Sequence, residues 1–412
     1  MKKIITTVLK ILRNILIVLL ALILIGIIYG WIARGLFITT EDVEYAYPED
    51  HPVSLPADHA AHPDFKTEWW YYTGHLTDDS GRGYGFELVF FRIRSLGVWE
   101  NHIPVWWFFK THVTVAQFAV LDKSTGEHTA GTVHAQNSQS DVGADTDRPN
   151  VWAYDWRATG SENPQGRFDM HITADNGRYA MDLDLVPEKP VVLHGENGLL
   201  NKQPYGVNSN YISFTRLRAE GTLAVDGQTR KVTGQAWHDH EYASAAPNER
   251  TAGWDWLSIQ FDKTAEPLDP AFFLCEKPSY NPLDGAELML YQVRALDNTP
   301  LEGSKGTFVD RDGVPQSLVQ GRDFTIETGT EGVWTSPASG APYPLGWHIE
   351  LPERKWTIDV SPIAMEQEVL GPKIGVNYWE GACTVTAATP EGAVQGVAYV
   401  ELCGYDKRVD KF

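Results

Sequence analysis

Hydrophobic residues are distributed in two different ways along the chain. Between Arg13 and Arg34 the sequence NILIVLLALILIGIIYGWIA is an almost unbroken apolar run. About 20 such residues in a helix are long enough to cross the hydrocarbon core of a bilayer. The run therefore predicts a transmembrane helix within an N-terminal anchor, residues 1–37. A cleaved signal peptide is the alternative, but its apolar region is usually about 7–15 residues long and ends in an A-x-A-like site, neither of which fits this segment.

From about residue 60 onward, apolar and polar residues alternate in short segments. The alternation is clearest in EWWYYTGHL (68–76), YGFELVFFRI (84–93), HVTVAQFAVL (112–121), YAMDLDLV (179–186), WLSIQF (256–261) and ACTVTAAT (382–389). A period of two is typical of β-strands, and helical periodicity is scarce in this part of the chain. The Asp-Gly pairs at 226–227 and 312–313 are strong hairpin signals. The pattern predicts antiparallel sheets that close into barrels or sandwiches.

A weak internal repeat indicates two such units in tandem. The strand GWDWLSIQFD (253–262) is similar to TEWWYYTGHL (67–76), and VTGQAWHDHEYA (232–243) is similar to VQGVAYVELCGY (394–405). The short polar segment near 244–252 is the expected junction. We therefore expect an all-β protein with domains at 60–247 and 252–412, preceded by the anchor.

Charge separates the anchor from the rest of the chain. The protein has 34 Lys+Arg against 54 Asp+Glu, a formal net charge of -20. Residues 1–34 contain five of the cations and no acidic residue, which leaves 29 cations against 54 acids in the body. Such an acidic body disfavours nucleic-acid binding. Because four of the five cations precede the apolar run, the N-terminus is expected in the cytoplasm, with the helix in the inner membrane and the body in the periplasm or outside.

Three cysteines, Cys275, Cys383 and Cys403, allow at most one disulfide. Cys383 and Cys403 flank a predicted turn around 389–392 and could face each other across a hairpin. The alternative, that they are two small buried residues, is slightly preferred.

The order of motifs in the body resembles a known family. The segments HPDFKTEWWYYTGHL (62–76), KTHVTVA (110–116), PEKPVVLHGENGLLNK (187–202), NSNYISFTRL (208–217), GTLAVDGQTRKVTGQAWHDHEY (221–242) and YWEGACTVTA…GVAYVELCGY (378–405) are similar to those of the AttH/carotenoid 1,2-hydratase (CrtC-like, hydroxyneurosporene synthase) family. The resemblance implies two lipocalin-like (calycin) barrels in tandem. It also places hydratases of isoprenoid double bonds among the relatives, together with predicted secreted hydrolases and proteins that accompany lipoprotein-export-like ABC transporters.

Hydration of an unactivated alkene needs a proton donor in an apolar, aromatic pocket, because burial raises the pKa of a carboxylic acid and aromatic faces attract a carbocation. Asp255 shares a strand face with Leu257 and Ile259 and is therefore a candidate donor, although it could instead begin the strand at a solvated rim. For Glu68 and Glu87 a buried hydrogen-bonding role is favoured.

The segment WHDHEY (237–242) is the densest ionisable cluster in the chain. In a strand, its odd- and even-numbered residues lie on opposite faces. From this cluster His238, Asp239, His240 and Glu241 are predicted to act in catalysis together with Asp255. The pair Tyr399 and Glu401 shares a face in the last strand and is first interpreted as barrel-closing structure.

A metal centre is the alternative for the same cluster. His238 and His240, with His112 from another strand, could supply three nitrogen ligands. The resembled motif has other residues at the position of His240, so a hydrogen-bonded His/Asp/Glu cluster is favoured, and neither a metal nor a cofactor is predicted.

Aromatic residues of the same strands are expected to line an apolar pocket. The predicted ligand-binding residues are Trp69, Trp70, Tyr72, His112, Tyr211, Trp237, Trp254 and Trp256. The expected ligand is an isoprenoid or a lipid, and the expected enzyme, if there is one, is a hydro-lyase. A non-catalytic carrier that serves an ABC export system is the main alternative. A secreted hydrolase is a weaker one, since the sequence has no G-x-S-x-G elbow.

Overall fold

The computed structural model describes most of the chain, in twelve segments: 2–37, 45–96, 99–100, 103–104, 110–136, 141–163, 168–202, 207–244, 250–264, 281–301, 304–371 and 377–406. One long helix, α1 (Lys2–Phe37), precedes the strands. Within α1, the 20-residue segment Leu9–Ile28 is apolar and none of it is buried against the protein. Its length and composition are sufficient to cross a membrane, a property that anchors and signal sequences share.

After α1, the regular secondary structure of the described residues is almost entirely β-strand. Short 3₁₀ helices lie at Pro48–Asp50, Ala57–His59 and Pro352–Arg354. The strands of the first part are β1 (Thr67–Asp78), β2 (Gly83–Leu96), β3 (Trp99–Glu100), β4 (Ile103–Pro104), β5 (Lys110–Asp122), β6 (Glu127–Gln136), β7 (Val142–Ala144), β8 (Asn150–Ala153), β9 (Trp156–Glu162), β10 (Phe168–Asp175), β11 (Tyr179–Pro187), β12 (Val192–Leu193), β13 (Leu199–Leu200), β14 (Ser209–Val225) and β15 (Gln228–Ala243). Those of the second part are β16 (Thr251–Phe261), β17 (Glu287–Ala295), β18 (Lys305–Val309), β19 (Pro315–Val319), β20 (Thr325–Thr335), β21 (Pro342–Leu351), β22 (Trp356–Pro362), β23 (Glu368–Val369), β24 (Tyr378–Thr389) and β25 (Gly392–Cys403).

These strands form two large antiparallel sheets. The first follows the order β6-β5-β2-β1-β15-β14-β11-β10-β9-β8-β7, with β12 and β13 added to β14. The second follows β19-β18-β17-β16-β25-β24-β22-β21-β20, with β23 added to β24. β3 and β4 pair with each other as a small separate hairpin. The predicted all-β fold with two barrel-like units after one apolar helix is confirmed; the bounds predicted for the domains, 60–247 and 252–412, stay predictions.

Both sheets follow the same plan, as the internal repeat predicts. The first strand of each sheet lies between its second strand and its last strand: β1 between β2 and β15, and β16 between β17 and β25. Side chains help to close the first sheet on itself, since the hydroxyl of Tyr154 donates to the carbonyl of His134 in β6 at 3.4 Å. The predicted hairpin at 226–227 joins β14 to β15, and both Asp226 and Gly227 have positive φ, 49° and 79°, as a type I′ turn requires.

Alternation along the strands divides the apolar residues between separate cores. One cluster fills the first barrel and includes Trp70, Tyr72 and Phe214, and another fills the second and includes Leu257 and Ile259. A third cluster lies between the two sheets and uses the outward faces of β1, β15 and β16. The second half of β15 is covered on both faces in this way, so its polar and apolar residues alike are buried from 236 to 243.

Cys383 and Cys403 do not form a disulfide. Cys383 lies opposite Ala398 and Cys403 lies opposite Tyr378 in the β24–β25 ladder, and both thiols are free and buried. The hairpin-disulfide interpretation is therefore wrong for this pair, because the register separates the two residues along the strands. Cys275 lies outside the described residues.

A buried ion pair joins the two barrels. Glu287 of β17 accepts hydrogen bonds from Arg216 Nε of β14 at 2.5 Å and from Lys189 Nζ at 2.8 Å. The carboxyl of Glu287 and the guanidinium of Arg216 are almost fully buried. Burying charges is costly unless they are paired. Here the carboxylate belongs to the second barrel and both cations belong to the first, so each barrel supplies the partner for the buried charge of the other.

We expect Arg216→Ala to lower the free energy of unfolding by about 3–5 kcal/mol, because it leaves Glu287 buried with less compensation. Urea denaturation followed by tryptophan fluorescence measures this change. The matched control is Arg218→Ala, which removes an exposed pair with Glu220 and is expected to cost no more than about 1 kcal/mol. Equal effects of the two substitutions would show that Arg216 does not join the barrels.

Candidate functional site

Strand β15 separates the predicted catalytic residues onto two faces. His238 and His240 point into the first barrel, where their rings stack on Tyr72 (4.1 Å between centroids) and Trp70 (5.1 Å). Asp239 and the indole of Trp237 point toward the second barrel. The cluster that is contiguous in sequence is therefore two sites in space.

Inside the first barrel, His238 borders a narrow recess together with His59, Trp70, Tyr72 and Phe168. The free volume available to the centre of a water molecule is about 10 Å³, which suits a single water rather than an isoprenoid chain. Nδ1 of His238 lies 3.1 Å from the carbonyl oxygen of Tyr71. Burial lowers the pKa of His238 well below its ordinary value, so the imidazole is neutral and donates from Nδ1.

Toward the second barrel, Asp239 lies in a buried hydrogen-bond network. Its carboxyl accepts from Tyr211 OH at 2.7 Å, from Trp237 Nε1 at 2.6 Å and from the hydroxyl of Ser213. Trp256 Nε1 of the second barrel donates to Tyr211 OH at 2.9 Å. Burial raises the pKa of Asp239 to about 7, although its three donors oppose the shift.

The polar network continues across the barrel boundary. His194 Nε2 lies 2.7 Å from Ser213 Oγ, and its Nδ1 lies 2.8 Å from Thr307 Oγ1 in β18. Burial lowers the pKa of His194 to about 3, so the ring is neutral and acts as one donor and one acceptor. These hydrogen bonds connect Asp239 to the second barrel through neutral side chains.

Half-buried residues of both barrels lie around the apolar cluster between the two sheets, and we call this set of residues the inter-barrel cleft. Its members are Trp69, Phe91, Trp254, Tyr291 and Glu401. The rings of Trp254 and Tyr291 lie 6.3 Å apart, and Trp254 Nε1 donates to Glu401. The cleft combines groups from β1 and β2, which are neighbours in the first sheet, with groups from β16, β17 and β25. In the second sheet β16 lies between β17 and β25.

A buried ion pair lies beside the cleft. Lys202 Nζ pairs with Glu241 and is 4.4 Å from the centre of the Tyr291 ring. Glu241 in turn lies opposite Trp69 in the β1–β15 ladder. A cation is thus held between a carboxylate and an aromatic face, which are both favourable partners.

Glu401 is the acidic group of the cleft. Protein atoms surround its carboxyl densely, and the residue as a whole is half-buried. Burial raises the pKa of Glu401 to about 7, and the hydrogen bond from Trp254 opposes this shift. From the sequence, Glu401 was interpreted as part of the structure that closes the barrel and was not predicted as a site residue. Its shared strand face with Tyr399 was the only hint, because the residues that contact this face lie on other strands.

Two more buried carboxyls lie behind Glu401. Glu380 stands directly opposite Glu401 in the β24–β25 ladder and accepts from Tyr71 OH of the first barrel. Glu87 accepts from Tyr378 OH at 3.1 Å. Burial and the neighbouring carboxyls raise the pKa of Glu87 and Glu380 well above the ordinary value, so the protein favours the protonated form of both. One oxygen of each has no hydrogen-bond partner within the described part of the chain.

The remaining predicted residues lie elsewhere. Asp255 points into the second barrel, on the face of β16 opposite Trp254, and binds Arg294 Nε at 2.9 Å and Tyr405 OH at 3.2 Å. Burial raises the pKa of Asp255, while Arg294 opposes the shift. His112 Nε2 donates to the carbonyl of Pro63 at 3.1 Å. The structure places neither Asp255 nor His112 in the cleft, and their predicted roles stay predictions.

We expect Glu380→Gln to stabilise the protein at alkaline pH. A buried acid with a raised pKa contributes stability while it is protonated, and this contribution is lost as the pH rises from the ordinary value of about 4.3 towards the raised pKa. The glutamine stays neutral and still accepts from Tyr71. The variant and the parent should therefore unfold alike near pH 4, and their difference should grow by up to about 1.4 kcal/mol for each pH unit above that.

Thermal unfolding between pH 4 and pH 9 measures this difference. Glu391→Gln, which changes an exposed carboxyl, is the control and should show no such trend. A gap between parent and Glu380→Gln that is independent of pH would contradict a neutral Glu380.

Comparison with known proteins identifies the fold and the family. The crystal structure of an AttH-type protein from Nitrosomonas europaea superposes with a TM-score of 0.71 at 25% sequence identity, covering 88% of this chain and 99% of that one. The structure of kievitone hydratase from Nectria haematococca has a TM-score of 0.64 at 14% identity, with 89% and 97% covered. No curated protein sequence matches the chain. The sequence pattern of the family described as AttH-like matches residues 46–268 and 279–405, and the chain therefore belongs to the AttH-like family.

Proposed function

We propose that the protein is a hydro-lyase that adds water to a carbon–carbon double bond of an apolar ligand in the inter-barrel cleft. The observation that carries this proposal is Glu401, a half-buried acid that accepts a hydrogen bond from Trp254 and has its pKa raised to about 7. An acid of this strength is partly protonated at neutral pH and is the kind of group that general acid catalysis requires.

The walls of the cleft suit the charge that develops in such a reaction. Protonation of an alkene leaves a positive charge on the neighbouring carbon, and the faces of Trp254 and Trp69 are favourable surroundings for a cation. Burial also raises the pKa of Glu87 and Glu380, so these carboxyls resist carrying negative charge beside Glu401. In the step we propose, Glu401 transfers its proton to one alkene carbon, water bonds to the other carbon, and the proton released by that water returns to Glu401.

The fold and the helix support an apolar substrate. The AttH-like fold occurs in a protein named as a hydratase, kievitone hydratase. For this chain we propose an isoprenoid or lipid substrate that reaches the cleft from the membrane, with α1 as an anchor in the inner membrane and the barrels on its outer side. A carrier without chemistry, serving a transporter, is the alternative that the experiment below separates.

The test uses the full chain in detergent with a panel of unsaturated isoprenoids and lipids. Hydration is detected by mass spectrometry as the gain of one water, and binding by quenching of tryptophan fluorescence. We expect Glu401→Gln to lower kcat by about 100-fold or more while the ligand still binds. Asp255→Asn is the comparison for the other predicted donor. Full turnover in Glu401→Gln would reject Glu401 as the donor, and binding without hydration of any panel member would favour the carrier.

The pH dependence gives a second test. Because the protonated form of Glu401 is the active one, kcat/KM should fall as the pH rises through about 7. Trp254→Phe removes the hydrogen bond that stabilises the carboxylate, so it should raise the pKa of Glu401 and move the alkaline limb up by roughly half a unit to one unit. A limb that stays in place in Trp254→Phe would show that another group controls it.

A further inference from the structure

Three potential ligand groups converge at one end of the first barrel, on the face of β15 that points away from the inter-barrel cleft. They are His62, which precedes β1, Glu68 of β1 and His240 of β15. One ligand atom from each lies within 4.8 Å of the others. Oε1 of Glu68 is 2.8 Å from His62 Nδ1 and 2.8 Å from His240 Nε2.

His62 and Glu68 have further hydrogen-bonding or charged neighbours of the kind found around metal ligands. A metal-bound histidine usually donates its second ring N–H to a carboxylate, and a metal-bound carboxylate is itself hydrogen-bonded. Nε2 of His62 lies 3.4 Å from Asp58 Oδ1. The second oxygen of Glu68 accepts from Arg92 Nε at 3.0 Å and Nη2 at 2.5 Å.

Packing holds both imidazoles in place. The ring of His62 stacks on Tyr242 with 3.7 Å between centroids, and His240 stacks on Trp70. Glu68 and His240 are fully buried, whereas 16% of the His62 side chain is exposed. An ion could therefore reach the group from the His62 side, and it would meet ligands that are already positioned.

The charges around the three groups favour a cation. Asp58 and Glu68 place two carboxylates next to His62, and Arg92 pairs with Glu68. A metal ion bound between them would lie beside anionic oxygens, which are favourable partners for a buried positive charge.

We infer that His62 Nδ1, His240 Nε2 and Glu68 Oε1 bind a divalent transition-metal ion of the zinc class, with water as the fourth ligand. Two imidazoles, one carboxylate and water form a common tetrahedral zinc set. Zinc–nitrogen distances of about 2.0–2.1 Å place tetrahedral ligand atoms roughly 3.3 Å apart, so the two 2.8 Å separations between Glu68 Oε1 and the histidine nitrogens would each widen by about 0.5 Å. His62 then carries its proton on Nε2, facing Asp58. The sequence suggested His238 and His112, together with His240, as possible metal ligands. In the structure, His238 and His112 instead form hydrogen bonds with backbone carbonyls.

The experiment uses the full chain in detergent, freed of metal by a chelator. Titration with Zn²⁺ by calorimetry, and with Co²⁺ by its visible absorption, should show one ion per chain and a higher Tm with metal. His240→Gln and Glu68→Gln should abolish stoichiometric binding. Asp58→Asn keeps all three ligands and should weaken binding about 10–100-fold, which makes the test independent of any ligand variant that fails to fold.

The matched control is His171→Gln, which removes a surface histidine close to Asp182 and Asp184. It should leave the stoichiometry and affinity unchanged. Any one of three results would overturn the metal site: loss of the ion in this control, unaltered affinity in Asp58→Asn, or no stoichiometric binding by the parent protein. Glu68 would then serve only as a hydrogen-bond acceptor for its neighbours. None of these outcomes depends on the activity proposed for the cleft.

Discussion

The burial of the outer face of the first barrel against the second is the constraint on which the rest of this molecule depends. A barrel normally exposes alternate residues to water, but here the outward residues of β1 and β15 contact β16 and β25. Acids on that face lose their hydration, and the described structure provides few cations for them: Lys202 pairs with Glu241, and Arg216 with Lys189 pairs with Glu287. Burial raises the pKa of Glu287 in spite of its two cations, and it also raises the pKa of Asp239, Glu380 and Glu401. Desolvation at this boundary thus favours the protonated form of its acids.

The two barrels share a plan but have diverged in how they use it. In each, the first strand carries an acid that points inward and binds an arginine of the next strand, Glu68 with Arg92 and Asp255 with Arg294. In the second barrel the pair is completed by Tyr405. In the first barrel the pair is joined by His62 and His240, which turns a similar ion pair into a potential ligand set.

Strand β15 therefore has two independent chemical faces. His238 and His240 belong to the interior of the first barrel, and Asp239 and Glu241 belong to the boundary with the second. The period of two places neighbours in sequence on opposite sides of a sheet, so substitutions at adjacent positions are expected to affect different properties. The proposed metal ligand His240 and the hydrogen-bonded Asp239 therefore lie on opposite faces of one strand.

Pattern and spacing alone determined the apolar helix, the strands, the hairpin at 226–227 and the repeat of two barrel-like sheets, because these depend on local periodicity and turn chemistry. The division of WHDHEY (237–242) between two strand faces could also be predicted, because it depends only on the period of two along one strand. What the sequence could not show was which residues from distant strands meet. Glu401 meets Trp254 only because β25 pairs with β16, and His62 meets His240 only because the segment before β1 lies over the end of the barrel. Likewise, Asp255 faces Arg294 rather than the cleft, and the register keeps Cys383 and Cys403 apart. Tertiary structure decided these pairings because strand order and the burial of both faces of a sheet are set by contacts between residues far apart in the chain.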